Sequence, residues 1–525
     1  MGGIKLRGTK IVLTAPETEM NQFRDNPFMA FSASFPIGML PFNIMQRVLR
    51  SPPEFSSDEK AVVAPYGLRK LEAILINSGF KESDIAVVHP SKLDKFVGNN
   101  TRVIGISSMD PLGLAYVSTT YSQLIGLGSE PTTRYEFRKL LNKKCFRDSK
   151  AKIVVGGAGA WQLEDKRIRE EFGIDCVFLG EAEKAAPEVF SKAVNGEDLP
   201  EVVYGKEAEI EEIPTIRHAS IHGCVEISRG CNRKCQFCTP TTRRVRFIPL
   251  SKILEEVKVN VREGNEMIIL CTEDLFMYNS LQNFIPNRKA VVELCQRIAD
   301  CPGVRYIQPA HISLAPVVVD PKMVRDVAEI LLEKSWGTLD GKPFFTSETG
   351  IETGSKRLIR KYMAGKTLPF KPEDWPDIVK QAFGILNDNF GYPLATWIVG
   401  LPGETEDDVL ASIELVDDLK GTKGFFVPLF FVPLGDSALR RARGVNLNDL
   451  SELQWEFLSE CWKYNFSVWR KPCSLLSISS ILSKVLVSTV GGFLYLTYYK
   501  YKPSASFYKK VFTYVSKINL LSTRA

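Results

Sequence analysis

"SRGCNRKCQFCTP" (residues 228–240) sets three cysteines, Cys231, Cys235 and Cys238, within eight residues of a 525-residue chain whose other cysteines are scattered. A structural zinc site wants four protein ligands, commonly as two separated pairs. Here the fourth is missing, and nothing in the spacing of Cys224 recommends it. Three thiolates suit a cubane iron–sulfur cluster that leaves one iron open to an outside ligand. Zinc, or a purely structural loop, is the alternative.

The loop follows the apolar run "CVEISRG" (224–230), the first of six strand candidates separated by helical stretches. The others are "EMIILCTED" (266–274), "RYIQPAHISL" (305–314), "FFTSETGIETGS" (344–355), "YPLATWIVGLPGE" (392–404) and "GFFVPLFFVPLG" (424–435). Six βα units predict a partial (β/α)6 barrel over 221–445, with chemistry at the strand carboxyl ends. Upstream, a polar stretch (204–220) reads as a linker. Residues 1–203 carry five Val/Ile-rich runs, 10–16, 84–90, 102–108, 151–157 and 175–181, bounded by Gly, Pro or Asp. With a helical pattern at 66–80 between them, they predict an α/β, doubly wound parallel sheet. Residues 17–60 form a long apolar insertion after the first run, readable as a lid or as a substrate-contacting wall.

Composition is globular, with 44% hydrophobic and 24% charged residues, and a length of 525 residues calls for more than one core. No disulfide framework or signal-peptide pattern shows, so a reducing, intracellular setting is expected, where thiolates are free for metal. The net charge of +6 is uneven. From Cys461 onward there are ten Lys and Arg and no Asp or Glu, so the first 460 residues are net negative by four. That distribution does not suggest a nucleic-acid partner for the whole surface. Within 446–525, "SLLSISSILSKVLVSTVGGFLYLTYYKYK" (474–502) is the most apolar run, and Lys484 leaves only fifteen uncharged residues after it. That is short for a spanning helix. With its lysines, tyrosines and a second helical pattern at 506–521, the tail reads as an interfacial segment. The expected location is the cytoplasmic face of a membrane, peripheral or monotopic.

CxxxCxxC after the first barrel strand resembles the signature of the radical S-adenosylmethionine (SAM) superfamily. The resemblance implies a [4Fe–4S] cluster on Cys231, Cys235 and Cys238, an external electron donor, and SAM on the open iron. It places Phe237 near the adenine, and Thr272, Glu273 and Asp274 where the family's Gly-Gly-Glu receives the SAM amino group. Glu352 and Ser355 fall where the family contacts ribose and carboxylate, and Ile398 and Gly400 where it packs on the adenine. "TED" departs from Gly-Gly-Glu in residue type. His311, at the third strand end, faces the expected pocket as substrate contact, proton relay or satisfied structural histidine. By the resemblance, reductive cleavage of SAM yields a 5′-deoxyadenosyl radical that takes hydrogen from an unactivated C–H bond.

A doubly wound domain ahead of such a barrel resembles the cobalamin-binding subclass. "GGAGAW" (156–161) matches its glycine-rich turn, so that Gly156, Gly157 and Gly159 approach cobalamin or form a tight βα turn only. The DxHxxG cobalt-ligand motif is absent. Together with the apolar insertion and basic tail, the chain looks like the archaeal tetraether-lipid (GDGT) ring synthases, which implies a membrane-lipid substrate and cyclopentane ring formation. A cobalamin-dependent radical SAM C-methyltransferase acting on a lipid is the alternative enzyme. Transfer-RNA methylthiolation calls for a second three-cysteine cluster, and only Cys145 and Cys176 precede the linker. A non-catalytic iron–sulfur membrane protein would be expected to close its cluster with a fourth ligand.

Overall fold

The computed structural model describes residues 8–37, 48–124 and 129–469, with the backbone of Cys473–Leu475. The tail beyond 475 and residues 38–47 of the insertion lie outside the described residues. The chain forms two compact units. The first comprises residues 1–118, 130–225 and 248–268; the second comprises 119–129, 226–247 and 269–525.

In the first unit, β1 (Ile11–Thr14), β2 (Ile85–Val87), β3 (Val103–Ser107), β4 (Lys152–Gly156), β5 (Cys176–Gly180) and β6 (Val202–Gly205) form one sheet in the order β2-β1-β3-β4-β5-β6. Every pairing is parallel. Period-two alternation explains the double winding. Ile11 and Leu13 join one apolar cluster with Leu68, Leu75 and Phe190, while Val12 joins another with Ile104, Phe137 and Leu163. Both faces of each strand are therefore covered, which is why the runs read as continuous apolar stretches. The five expected strands are present. The sixth, β6, begins before and runs into the stretch expected as linker, and its weak signal reflects an edge position with Tyr204 exposed. The helix Leu250–Arg262 belongs to this unit too, through a buried Lys70–Glu256 ion pair of 2.5 Å to which the Tyr66 hydroxyl donates at 2.7 Å.

The barrel strands are β7 (Cys224–Glu226), β10 (Met267–Cys271), β11 (Tyr306–Pro309), β14 (Glu348–Glu352), β15 (Leu394–Val399) and β16 (Phe425–Phe430). They lie in two sheets, β7-β10-β11 and β14-β15-β16, joined by a parallel bridge between His311 and Glu348. The six strands therefore follow one another in chain order. Between β7 and β10 a short antiparallel pair, β8 (Ser228–Arg229) with β9 (Arg246–Phe247), brackets the three-cysteine loop. A hairpin of β12 (Gly337–Leu339) and β13 (Lys342–Phe344) interrupts the alternation, and β17 (Cys473–Leu475) pairs antiparallel with β12.

Two glycines with φ of +98° separate backbone strain from crowding. Gly79 has open space where a Cβ would stand, whereas at Gly157 a Cβ would meet the Ser108 carbonyl at 2.6 Å and its nitrogen at 2.8 Å. Alanine at Gly79 is expected to cost about 1 kcal/mol from φ alone. Alanine at Gly157 is expected to cost clearly more, read as a lower thermal midpoint in parallel melts of the full chain.

Candidate functional site

Burial alternates along part of the barrel. Ala395, Trp397 and Val399 of β15 are buried, whereas Leu394, Thr396 and Ile398 are partly exposed. In β14, Thr349 and Ile351 are buried while Glu348 and Gly350 are not. By contrast Met267, Ile268, Ile269 and Leu270 of β10 are all buried, as are Leu429 and Phe430 of β16. The partly exposed residues of β14 and β15 are therefore the strand positions open to a ligand.

The loop carrying Cys231, Cys235 and Cys238 begins at Gly230, whose φ of +84° no other residue adopts freely and whose Cβ would strike the Arg244 carbonyl at 2.4 Å. Its interior anchor is Arg233. This buried guanidinium donates to Asp274 Oδ2 at 3.2 Å and to the carbonyls of Lys366 and Gly365 at 3.0 and 3.3 Å. Thr241 Oγ1 donates to the carbonyls of Cys235 and Cys238 at 3.1 and 2.9 Å, and the Gln236 N–H donates to the Tyr362 carbonyl at 2.9 Å. Burial raises all three thiols, Cys235 to about 11. Cys235 feels the charge of Cys231, and Cys238 that of both Cys235 and Cys231.

Those surroundings test the implied cluster. Among the described residues no group of three or more His, Cys, Asp or Glu side chains, the loop's own thiols included, is already gathered to hold a metal ion. The fit is instead one of donor chemistry: three soft sulfur donors on one braced loop, buried enough that their thiolates need a cationic partner.

The strand-end residues expected around SAM divide into free and committed groups. Glu273 extends an accessible side chain that makes no hydrogen bond among the described residues; burial of the carboxyl by surrounding protein pushes its pKa up. Thr272 pairs its hydroxyl with Ser228, and Asp274 is committed to Arg233 and to the Ser313 N–H at 3.0 Å. Glu352 sits at a register shift of β14 with φ of +66°, a bulge that re-aims its carboxylate. Its Oε1 accepts from Lys366 at 3.0 Å and its Oε2 from Thr396 at 3.3 Å. Ser355 caps the helix Lys356–Tyr362 and donates to Asp408. Ile398 and Phe237 are half-buried, and the Gly400 N–H donates to Glu404 at 2.9 Å. His311 Nε2 lies 2.9 Å from Glu348 Oε2, and the ring also bonds the Thr272 carbonyl. Both contacts are to acceptors, so the ring carries both protons. Burial opposes that charge, but Glu348 overrides it and raises His311 to about 9.

Spacing alone did not single out Arg233, Lys366, Glu348 or Thr396. Glu348 had a signal: it shares one strand face with Gly350 and leads toward Glu352 at i+4. Lys366, in a 3-10 turn after a helix, had none.

In the first unit the order β2-β1-β3-β4-β5 is the flavodoxin-like one, whose ligand crevice lies at the β1/β3 switch point. Glu19 and Asp110 follow those two strands, each with one buried carboxylate oxygen lacking a hydrogen-bond partner. Burial raises Glu19 to about 8. These orphaned atoms fit a ligand with N–H or O–H groups. The Gly156–Gly159 turn is filled by the chain itself, since a Cβ at Gly159 would meet the Met109 carbonyl at 2.4 Å.

A doubly wound sheet thus precedes a six-stranded βα barrel that carries a three-thiol loop at its first strand end. Residues 225–416 match the family described as the radical SAM superfamily. Those residues therefore form a radical SAM domain, for which a [4Fe–4S] cluster and SAM are the implied cofactors. It is 23% identical over 326 residues to the tRNA-2-methylthio-N(6)-dimethylallyladenosine synthase of Acidovorax sp. (strain JS42), covering 61% of this chain and 68% of that one. It is 27% identical over 277 residues to the ribosomal protein uS12 methylthiotransferase RimO of Parabacteroides distasonis, covering 49% and 57%. The chain thus spans about half to two thirds of the length of most curated relatives it matches, and 32% of one. In fold it is similar to the radical SAM methyltransferase TsrM from Kitasatospora setae, solved with cobalamin and a [4Fe–4S] cluster, at TM-score 0.52 and 15% identity over 82% of this chain and 77% of that one.

The His311–Glu348 pair predicts a pH window. In the folded chain the ring holds its proton to about pH 9, against an ordinary value of 6.5. The pair's contribution is complete below about 6.5 and is lost as pH rises through 9. Discounted for the partly exposed ring, it is about 1 kcal/mol. Melts across this window are expected to show stability falling with pH in the parent and a flatter profile in His311→Gln.

Proposed function

We propose that this chain abstracts hydrogen from an unactivated C–H bond of a membrane lipid, with cyclopentane ring formation in archaeal tetraether lipids as the specific reaction. The observation that carries the hydrogen-abstraction part is the braced three-cysteine loop at the first strand end of the barrel, within residues that match the radical SAM superfamily. A [4Fe–4S] cluster on Cys231, Cys235 and Cys238, given one electron by an external donor, supplies the reductive SAM cleavage that such an abstraction requires. The chain's own part is to hold and orient. Glu273 offers an unpaired carboxylate to a cationic amino group, and Thr396 and Ile398 are among the β15 positions open to a ligand. The lipid part rests on sequence, namely the apolar insertion (17–60) and the acid-free basic tail. With that tail the protein would sit on the cytoplasmic face of the membrane. Among the described residues no helix is long and apolar enough to cross one.

The second reading is C-methylation of an apolar substrate with cobalamin as methyl carrier. The flavodoxin-like sheet favours it, as do the orphaned oxygens of Glu19 and Asp110 at its switch point.

One experiment separates the readings: mass analysis of membrane lipids from anaerobic cells with and without the protein. Ring closure predicts products lighter by two hydrogens per event, and methylation predicts products heavier by one CH2. Unchanged lipids together with a methylthio group gained on tRNA or ribosomal protein would contradict both. In the same cells, removal of residues 476–525 is expected to release the protein from membranes; a truncated chain that still sediments with lipid would refute the tail's role.

A further inference from the structure

Three straps tie residues 361–366 to the cysteine loop. The Gln236 N–H donates to the Tyr362 carbonyl at 2.9 Å, and Gln236 Nε2 donates to the Lys361 carbonyl at 3.0 Å. Arg233 donates to the carbonyls of Gly365 and Lys366. At Gly365 the approach is so close that a Cβ would meet the Arg233 carbonyl at 2.0 Å. Lys366 is consequently carried beside the loop by backbone, not by a flexible arm. Its ammonium is nearly buried, 3.0 Å from Glu352 Oε1 and 5.8 Å from the Trp375 ring centroid. Neither neighbour can swing away freely. Trp375 Nε1 is held by the carbonyls of Ile351 and Thr353 at 3.1 Å each, and Glu352 Oε2 by Thr396.

Three cations beside the loop each have an acidic partner: Arg233 has Asp274, His311 has Glu348 and Lys366 has Glu352. Of these, Lys366 is the one held within electrostatic reach of Cys235 by backbone straps on both sides of its turn. A rigid cation has a specific consequence for a metal centre held there. Reduction adds one electron, and a fixed positive charge in a poorly solvated setting stabilises the more negative form.

We propose that Lys366 is a positioning residue that raises the reduction potential of the cluster held by Cys231, Cys235 and Cys238, with Glu352 orienting its ammonium toward Cys235. This rests on the radical SAM reading of the loop. The couple is a one-electron one: the electron enters the cluster from an external reductant, and no proton or bond is exchanged with Lys366.

The test is a mediated redox titration, followed by electron paramagnetic resonance, of the full chain reconstituted anaerobically with iron and sulfide and without SAM. Lys366→Met is expected to assemble the parent's iron complement but to lose at least tenfold in reduced fraction at a fixed poise, about 59 mV for one electron. Lys366→Arg, which keeps the charge, is expected to stay within about threefold of the parent. Lys366→Met removes a charge and also leaves Glu352 unpaired, so Lys366→Met/Glu352→Gln separates the two effects. Its reduced fraction is expected to lie between those of the parent and the single variant. A double variant that titrates like the parent would overturn the proposal, because the pair would then be structural only. An equal loss in Lys366→Arg would overturn it as well. A parent chain that binds no iron–sulfur cluster would instead sink the reading of the loop, and this proposal with it.

Discussion

A loop that buries three thiols gives up the hydrogen-bonded ladder that holds a strand or helix, so side chains must brace it. In this chain one guanidinium does most of that. Arg233 spans Asp274 at the end of β10 and the carbonyls of residues 365 and 366. Asp274 in turn accepts from Ser313 beyond β11. Four segments far apart in sequence are thereby fixed to one buried ion pair. Breaking such a pair by removing one partner generally costs about 3–5 kcal/mol. The positions of the thiols, of Glu273 and of Lys366 all depend on this one bond set.

The same region shows how strain is placed. Glu352 adopts φ of +66° at a register shift, a cost that an ordinary strand residue would not bear. The bulge turns its carboxylate toward Lys366 and Thr396, next to the cysteine loop. The unusual backbone therefore lies where charge is being positioned. Elsewhere alternate residues of β14 and β15 stay partly accessible while those between them are buried, so these strands keep one side open to a ligand.

Much of this was legible in the sequence, for identifiable reasons. Parallel strands buried on both faces write themselves as Val/Ile runs, and all five expected in the first unit occur. The six barrel strands were visible because each ends in a distinctive strand-end motif. The edge strand β6 was hidden because half its face is solvated. Arg233 was in plain view inside the thiol loop, but its partners lie 41 and 133 residues away, and no local pattern encodes such a contact. Lys366 follows a helix in "YMAGK", where a lysine ordinarily means solvent. Its burial is a tertiary fact. Ser355 and Gly400 stood in motif positions, and the fold gives each a local duty, as a helix cap and as the amide partner of Glu404. Both residues thus spend these polar groups inside the protein, a tertiary commitment that motif order does not encode.

The central claim is that three thiolates hold a cluster with one iron left open. Mössbauer spectra of the 57Fe-reconstituted full chain, taken with and without SAM, test it most directly. One iron in four should change its isomer shift when SAM is added, while the other three stay unchanged. Four irons indifferent to SAM, or a site filled by zinc alone, would contradict the account.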